Sequence, residues 1–261
     1  MNPTRPHDDG SAGDVDYARV AADYNGWRRP DPRIQLQIDR AFGDAVTVLN
    51  VGAGTGSYEP AERDVTAVEP SASMRAQRRA TRPAIDATAE TLPFEDDSFD
   101  ASMSTMSVHQ WPHLEAGLAG MRRVTRGAVV IMTADPAHLE EFWLADYAPE
   151  VMSTEARRFP SIDRVAAALG GVVEVQVVPI PLDCSDGFNQ AYYGRPEVLL
   201  EEGARQANSA WSFVTEDVVA RFERDLRSDL ASGAWDAKYG YLRTRPTFDA
   251  GLRLVISRPT P

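Results

Sequence analysis

The chain has a single cysteine, Cys184, in 261 residues, which excludes an internal disulfide and any cluster of thiolates around zinc. Lysine is almost missing: of 27 basic residues only Lys238 is one. That bias fits the GC-rich codons of a high-GC bacterium and carries no mechanistic message. No apolar run approaches the roughly 18 residues of a membrane-spanning helix. The opening MNPTRPHDDGSAGDVD lacks the apolar core of a secretory signal, so a reducing cytoplasm is the expected setting. Positive charge is in deficit, and the net charge of −12 sets up a field that repels nucleic acid.

What is present is an ordinary globular composition, 43% hydrophobic and 25% charged, in a length that suits one domain with a sizeable insertion. Residues 1–15, rich in Pro, Gly, Asp and Ser, read as a flexible tail, and 16–261 as the domain. From residue 31 onward, short β-branched runs alternate with helical spacing. Strands are expected at 45–50, 65–68, 84–87, 99–106, 128–133, 172–180 and 252–257. Between them, helices are expected at 32–42, at 71–80 with Ser71 as N-cap, at 114–124 and at 161–169. The crossover from Asn50 to Val65 leaves room only for a short helix from about Ser57. Residues 182–250 are too long for a hairpin loop and too aromatic for a linker, so they read as a helical insertion, with helices at 196–207 and 215–232. Alternation of this kind predicts an α/β fold, a seven-stranded, mostly parallel sheet with helices on both faces.

The strongest local signal is Val48-Leu49-Asn50-Val51-Gly52-Ala53-Gly54-Thr55-Gly56, three alternating glycines directly after a strand. Glycine allows positive φ and has no Cβ, so the backbone can turn sharply and approach a ligand. Glu69, ending the second strand in Val68-Glu69-Pro70, adds a carboxylate able to accept both ribose hydroxyls. Together they indicate an adenosine-containing cofactor. A dinucleotide site wants G-x-G-x-x-G, and here Ser57 stands where the third glycine would fall.

Five motifs then follow in order: VLNVGAGTGSYE, VTAVEPSASM, ATAETLPFEDDSFD, STMSVHQWPH and GAVVIMTADP. On these the chain resembles the bacterial class I methyltransferases that use S-adenosylmethionine (SAM), the group that includes the ubiquinone and menaquinone biosynthesis enzymes. The resemblance implies a Rossmann-like fold, SAM as cofactor and a small-molecule methyl acceptor, with neither nucleic acid nor membrane as partner. It implies that Asn50, Gly52, Ala53, Gly54 and Gly56 underlie the methionine and ribose of SAM, and that Glu69 holds the ribose. Pro70, Ser71 and Met74 would lie near the adenine, and Thr88, Ala89 and Glu90 on its other side. Thr88 stands where the family usually has Asp. Ser104 and Thr105 would border the methyl, and Tyr17, Tyr24 and Arg29 belong to the segment that closes over SAM.

Methyl transfer from a sulfonium needs alignment and exclusion of water more than it needs catalytic groups. For an acceptor O–H or N–H a base helps, and His109 is the candidate; the alternative is a structural histidine that bonds its own loop. A metal pair of His109 with His113 is disfavoured by Pro112 between them. Trp111, Trp143, Tyr147, Phe188, Tyr192 and Tyr193 are candidates for an aromatic acceptor pocket, from a wider set that includes Phe142 and Trp211. A SAM-binding protein without methyl transfer, or an NAD-dependent oxidoreductase, are the competing readings.

Overall fold

A computed structural model describes residues 24–260, so the tail read over 1–15 and Tyr17 lie outside the described residues. The strands are β1 (Thr47–Val51), β2 (Asp64–Val68), β3 (Ala84–Ile85), β4 (Ala101–Thr105), β5 (Val129–Ala134), β6 (Val172–Val177), β7 (Ile180–Pro181), β8 (Thr247–Phe248) and β9 (Leu252–Arg258). The helices are α1 (Tyr24–Trp27), α2 (Pro32–Ala41), α3 (Ala72–Ala76), α4 (Leu114–Val124), α5 (Pro136–Leu139), α6 (Pro149–Arg158), α7 (Ile162–Leu169), α8 (Glu202–Gln206), α9 (Glu216–Ser232) and α10 (Ala234–Tyr239), with short 3₁₀ turns between them.

Seven strands form one sheet in the order β3-β2-β1-β4-β5-β9-β6. Pairing is parallel from β3 through β5, and β9 runs antiparallel to both β5 and β6. The chain winds outward from β1 to β3 and returns to β4 on the other side of β1. That reversal opens a crevice beyond the carboxyl ends of β1 and β4, where open α/β sheets bind ligands.

Side-chain alternation along the strands divides the core in two. Val48 of β1 and Val130 and Met132 of β5 face one layer with Ile34 and Ile38 of α2. Leu49 and Val51, with Val129 and Ile131, face the other, where Leu118 and Met121 of α4 and Val165 of α7 cover them. Asp31 caps α2 through its carboxylate and the Arg33 N–H, and Ser71 caps α3 through its hydroxyl and the Met74 N–H. These caps satisfy N–H groups that the first turn of a helix leaves without partners.

Four expectations change, the first being the single strand expected over 172–180, which ends at Val177 as β6 while Ile180 and Pro181 form β7 in a separate pair with β8. No helix joins β1 to β2: Gly52, Gly54, Gly56 and also Tyr58 have positive φ, which an α-helix does not tolerate. Helix α3 stops at Ala76 instead of running to residue 80, and Arg78 beyond it turns back to the glycine loop. The stretch 196–207 is two pieces, because Glu201 between them is extended. Between β6 and β9 the chain is mostly short helical segments, tied at its neck by the β7–β8 pair, Ile180 opposite Phe248.

Candidate active site

The loop leaving β1 is held open by its glycines and braced from below. A Cβ on Gly52, at φ +65°, would lie 2.9 Å from Ser107 Cβ and closer still to its hydroxyl. Ala53 N–H donates to Val68 O at 3.0 Å, which joins the loop to the end of β2. Arg78 donates to Gly54 O at 3.1 Å and Ala53 O at 3.3 Å. It also pairs with Glu59 at 2.6 Å, both side chains almost wholly buried. Asn50 donates its amide to the same Glu59 at 3.1 Å. Asn50 therefore props the loop from beneath and does not line the cleft.

Glu69 sits at the centre of this half of the site. One carboxylate oxygen accepts Gly54 N–H at 2.7 Å and the other accepts Ser71 N–H at 2.8 Å. Burial pushes its pKa up, and those two N–H bonds with the nearby Arg75 and Arg78 charges pull it part of the way back. Each oxygen retains a second lone-pair site, so the carboxylate can take two hydroxyl donors in addition. Pro70, Ser71, Met74, Thr88, Ala89 and Glu90 continue the wall from there, and Thr105 closes it at the end of β4. A loop with glycines at positive φ, one of them (Gly52) without room for a Cβ, and a desolvated carboxylate beside it fit a nucleoside with a vicinal diol.

The cleft continues past Thr105 into a second half. Here the loop after β4 is bent by Met106 at φ +50°, and His109, Gln110 and Trp111 follow. The His109 ring packs on Phe159 with centroids 4.2 Å apart, and its Nε2 lies 2.9 Å from Gln110 Nε2. Its Nδ1 is buried without a hydrogen-bond partner among the described residues. Burial lowers its pKa well below 6.5, and the charges of Arg158 and Arg28 add to the effect, so the imidazole stays neutral. Glu155 lines the same half, accepting from Asn189 and Gln190 at 2.9 Å each, and burial raises its pKa.

A strap from Trp27 to Asp31 runs beside the cleft and contributes Arg28 to its lining. Arg28 pairs with Asp186 at 2.6 Å, and the Tyr58 hydroxyl donates to the same carboxylate at 3.0 Å. Gly187 N–H donates to Trp27 O at 2.9 Å. These bonds join the glycine loop, the strap and the segment after β7.

Of the expected site residues, the structure brings Gly52, Ala53, Gly54, Glu69, Pro70, Ser71, Met74, Thr88, Ala89, Glu90, Thr105, His109, Trp111 and Phe188 to one cleft. Others lie elsewhere. Ser104 is fully buried within β4, one residue below the wall. Gly56 and Arg29 line a different groove on the far side of the glycine loop. Tyr24 opens α1. Four aromatics read as pocket residues are core instead. Trp143 is enclosed by Trp235 and Tyr147, at 5.7 and 6.0 Å between rings. Tyr147 donates its hydroxyl to Asp229, Tyr192 lies under the Arg195 guanidinium, and Tyr193 donates to Arg245 O. Each is held by partners outside the cleft. Residues that sequence reasoning missed include Arg28, Tyr58, Arg78, Ser107, Gln110 and Arg158. Tyr58, Ser107 and Gln110 stand within two of the motifs without a role of their own assigned there, whereas only polar character marks Arg28, Arg78 and Arg158 in the chain.

A family model described as a methyltransferase domain matches residues 49–132. A solved protein of Anabaena variabilis, assigned to the methyltransferases of an antibiotic biosynthesis pathway, is 31% identical with a TM-score of 0.83. The alignment covers 89% of this chain and 99% of that one. A malonyl-[acyl-carrier protein] O-methyltransferase of Erwinia pyrifoliae is 32% identical over 50% of this chain and 53% of its own length. A demethylmenaquinone methyltransferase of Renibacterium salmoninarum is 36% identical over 35% of this chain and 41% of its own. The chain thus spans about half or less of these two curated relatives. Carried by the near-complete match to the Anabaena protein and by the geometry of the glycine loop and Glu69, the chain belongs to the class I SAM-dependent methyltransferases.

Proposed function

We propose that this chain transfers the methyl group of SAM to a small-molecule acceptor in the second half of the cleft. The observation that carries the reading is the continuity of one cleft from Glu69 to His109, walled on the far side by α6 and residues 186–209. SAM supplies, when bound, a methyl group on a positively charged sulfur. The protein's share is to hold and orient. The Glu69 carboxylate takes the ribose hydroxyls, the glycine loop lets the backbone come close, and the strap 27–31 with residues 182–250 limits water at the acceptor side.

For an acceptor bearing O–H or N–H, His109 takes the proton released as the new bond to carbon forms. With Gln110 donating to Nε2, the neutral ring carries its proton on Nδ1. Turning the Gln110 amide over makes its oxygen accept from Nε2–H and presents the Nδ1 lone pair as the base. The narrow cleft, the charge of −12 and the single buried cysteine favour a small molecule over nucleic acid, and a cytoplasmic setting in a bacterium. Among the described residues no helix is long and apolar enough to cross a membrane.

The test is incubation with SAM carrying a tritiated methyl group and a panel of phenols, amines, thiols and carboxylic acids. Label appearing in an acceptor, with an equal amount of S-adenosylhomocysteine, supports the reading. Tight binding of S-adenosylhomocysteine with no label in any acceptor class would favour a SAM-binding protein without methyl transfer.

A further inference from the structure

The seven-stranded sheet ends on β6, and the outer edge of that strand is open. Val178 N–H donates to Leu252 O at 2.9 Å, which fixes the hydrogen-bonding phase of β6 on β9. Bonded and non-bonded residues alternate in an antiparallel pair, so positions 172, 174 and 176 turn their backbone groups toward β9. Val173, Val175 and Val177 turn theirs outward, and among the described residues no strand pairs with them. The side chains of the same three valines form one stripe. Val173 packs against the layer of α4 and α7, and Val175 and Val177 continue that face, 46% and 47% exposed. Proteins blunt such an edge with lysine, proline or a bulge, and β6 (VVEVQV) carries none of these. Its one charge, Glu174, accepts from Gln176 Nε2 at 2.8 Å and lies 3.8 Å from Arg258 of β9.

We propose that β6 pairs antiparallel with β6 of a second copy of this chain, about a two-fold axis at Val175, so that two sheets become one. Phase and sequence both select that centre. Outward backbone groups must meet outward ones, which leaves 173, 175 and 177 as the allowed centres. A centre at 173 draws in Gly171, whose φ of +69° is not that of a strand, and one at 177 draws in Pro179, which has no N–H to give. At 175 the whole stripe is used: Val173 meets the partner's Val177, and Val175 meets the partner's Val175, each pair exchanging both backbone bonds. On the other face Glu174 meets the partner's Gln176 and not a second carboxylate, and it brings Arg258 with it as counter-charge. The far edge of the sheet does not compete, because β3 is only the two residues Ala84–Ile85. A head-to-tail row of copies therefore gains little, and the two-fold pair, which covers both β6 edges at once, closes at two.

Sedimentation equilibrium of the full chain from about 1 to 100 µM reads the assembly; one strand pair is small beside a standard interface, so a dissociation constant of about 1–50 µM is expected. Val175→Pro removes an outward N–H and no bond to β9, so the fold should persist, as its melting transition would show, while the dimer weakens tenfold or more. Val177→Lys puts a charge into the stripe and is expected to weaken it as much, which keeps the test sound should proline unsettle the strand. Val175→Cys is expected to form an intermolecular disulfide on mild oxidation, since directly opposed Cα atoms lie about 5.5 Å apart. Wild-type protein, whose Cys184 is buried, should form none, nor should Val172→Cys, whose like positions stand about 20 Å apart along the ladder. A chain that is monomeric throughout the concentration range overturns the proposal. So does a dimer that both Val175→Pro and Val177→Lys leave intact, or one that cross-links through position 172 in preference to 175.

Discussion

Replacing Gly52 by alanine should damage the site through two separable effects. The first is backbone: φ is +65°, and an L-residue there costs about 1–2 kcal/mol. The second is steric, because the new methyl group lies 2.9 Å from Ser107 Cβ and overlaps its hydroxyl. Ser107 must rotate away, which breaks the bond it accepts from Trp111 Nε1 at 3.1 Å, worth about 1 kcal/mol. The sum is about 2–3 kcal/mol, or a fall in Tm of about 5–10 °C for a domain of this size. Gly43 is the internal control, since its φ is +58° and nothing lies within 4 Å of its Cβ position. Gly43→Ala carries the backbone effect alone. Differential scanning calorimetry of Gly52→Ala, Ser107→Gly and the double variant would give the coupling between the two positions directly. The steric argument requires a favourable coupling of about 1 kcal/mol or more. Zero coupling, with Gly52→Ala no less stable than Gly43→Ala, would refute it.

His109 is neutral in the fold because burial lowers its pKa well below 6.5. The unfolded chain takes up a proton as pH falls through 6.5 and the folded chain does not, so stability should drop by about 1.4 kcal/mol per pH unit below 6.5. His109→Asn should remove that slope in urea titrations at pH 5–7, and the wild-type turnover profile should show no loss of activity at pH 6.5 itself. Arg78→Met leaves the buried Glu59 carboxylate with only the more distant Arg82 guanidinium at 3.9 Å and should cost about 3 kcal/mol in chemical denaturation, together with much of the affinity for SAM. Tyr193→Phe removes only a bond to Arg245 O, so it should cost about 1 kcal/mol of stability and leave KM for the acceptor unchanged. A raised KM would move Tyr193 back to the pocket.

Most of the sheet was legible because β1, β2, β5, β6 and β9 are rich in β-branched residues and bounded by turn signals, while β4 (ASMST) is the weak case. The run Ala128–Thr133, for instance, becomes β5 at Val129–Ala134. The glycine loop and Glu69 were legible for a related reason: their chemistry is local, and a few consecutive residues carry it. The acceptor half was not. Arg28, Arg158 and Asn208 meet through packing of segments more than 40 residues apart, which no spacing rule encodes. Aromatic residues misled for the same reason. Trp143 and Trp111 look alike in sequence, yet one is buried against Trp235 and the other lines the cleft. The absent helix after β1 is a further case: Tyr58 has positive φ, and its hydroxyl bonds Asp186, a partner 128 residues away that no local pattern announces.

The central claim is that the glycine loop and Glu69 grip the sugar of SAM. Its most direct test is calorimetric titration of the wild-type protein and of Glu69→Gln with S-adenosylhomocysteine. Glutamine keeps the shape but loses the charge and one acceptor oxygen, so the account predicts one site per chain and at least tenfold weaker binding by the variant. Equal affinities for the two proteins, or no heat from either, would contradict it.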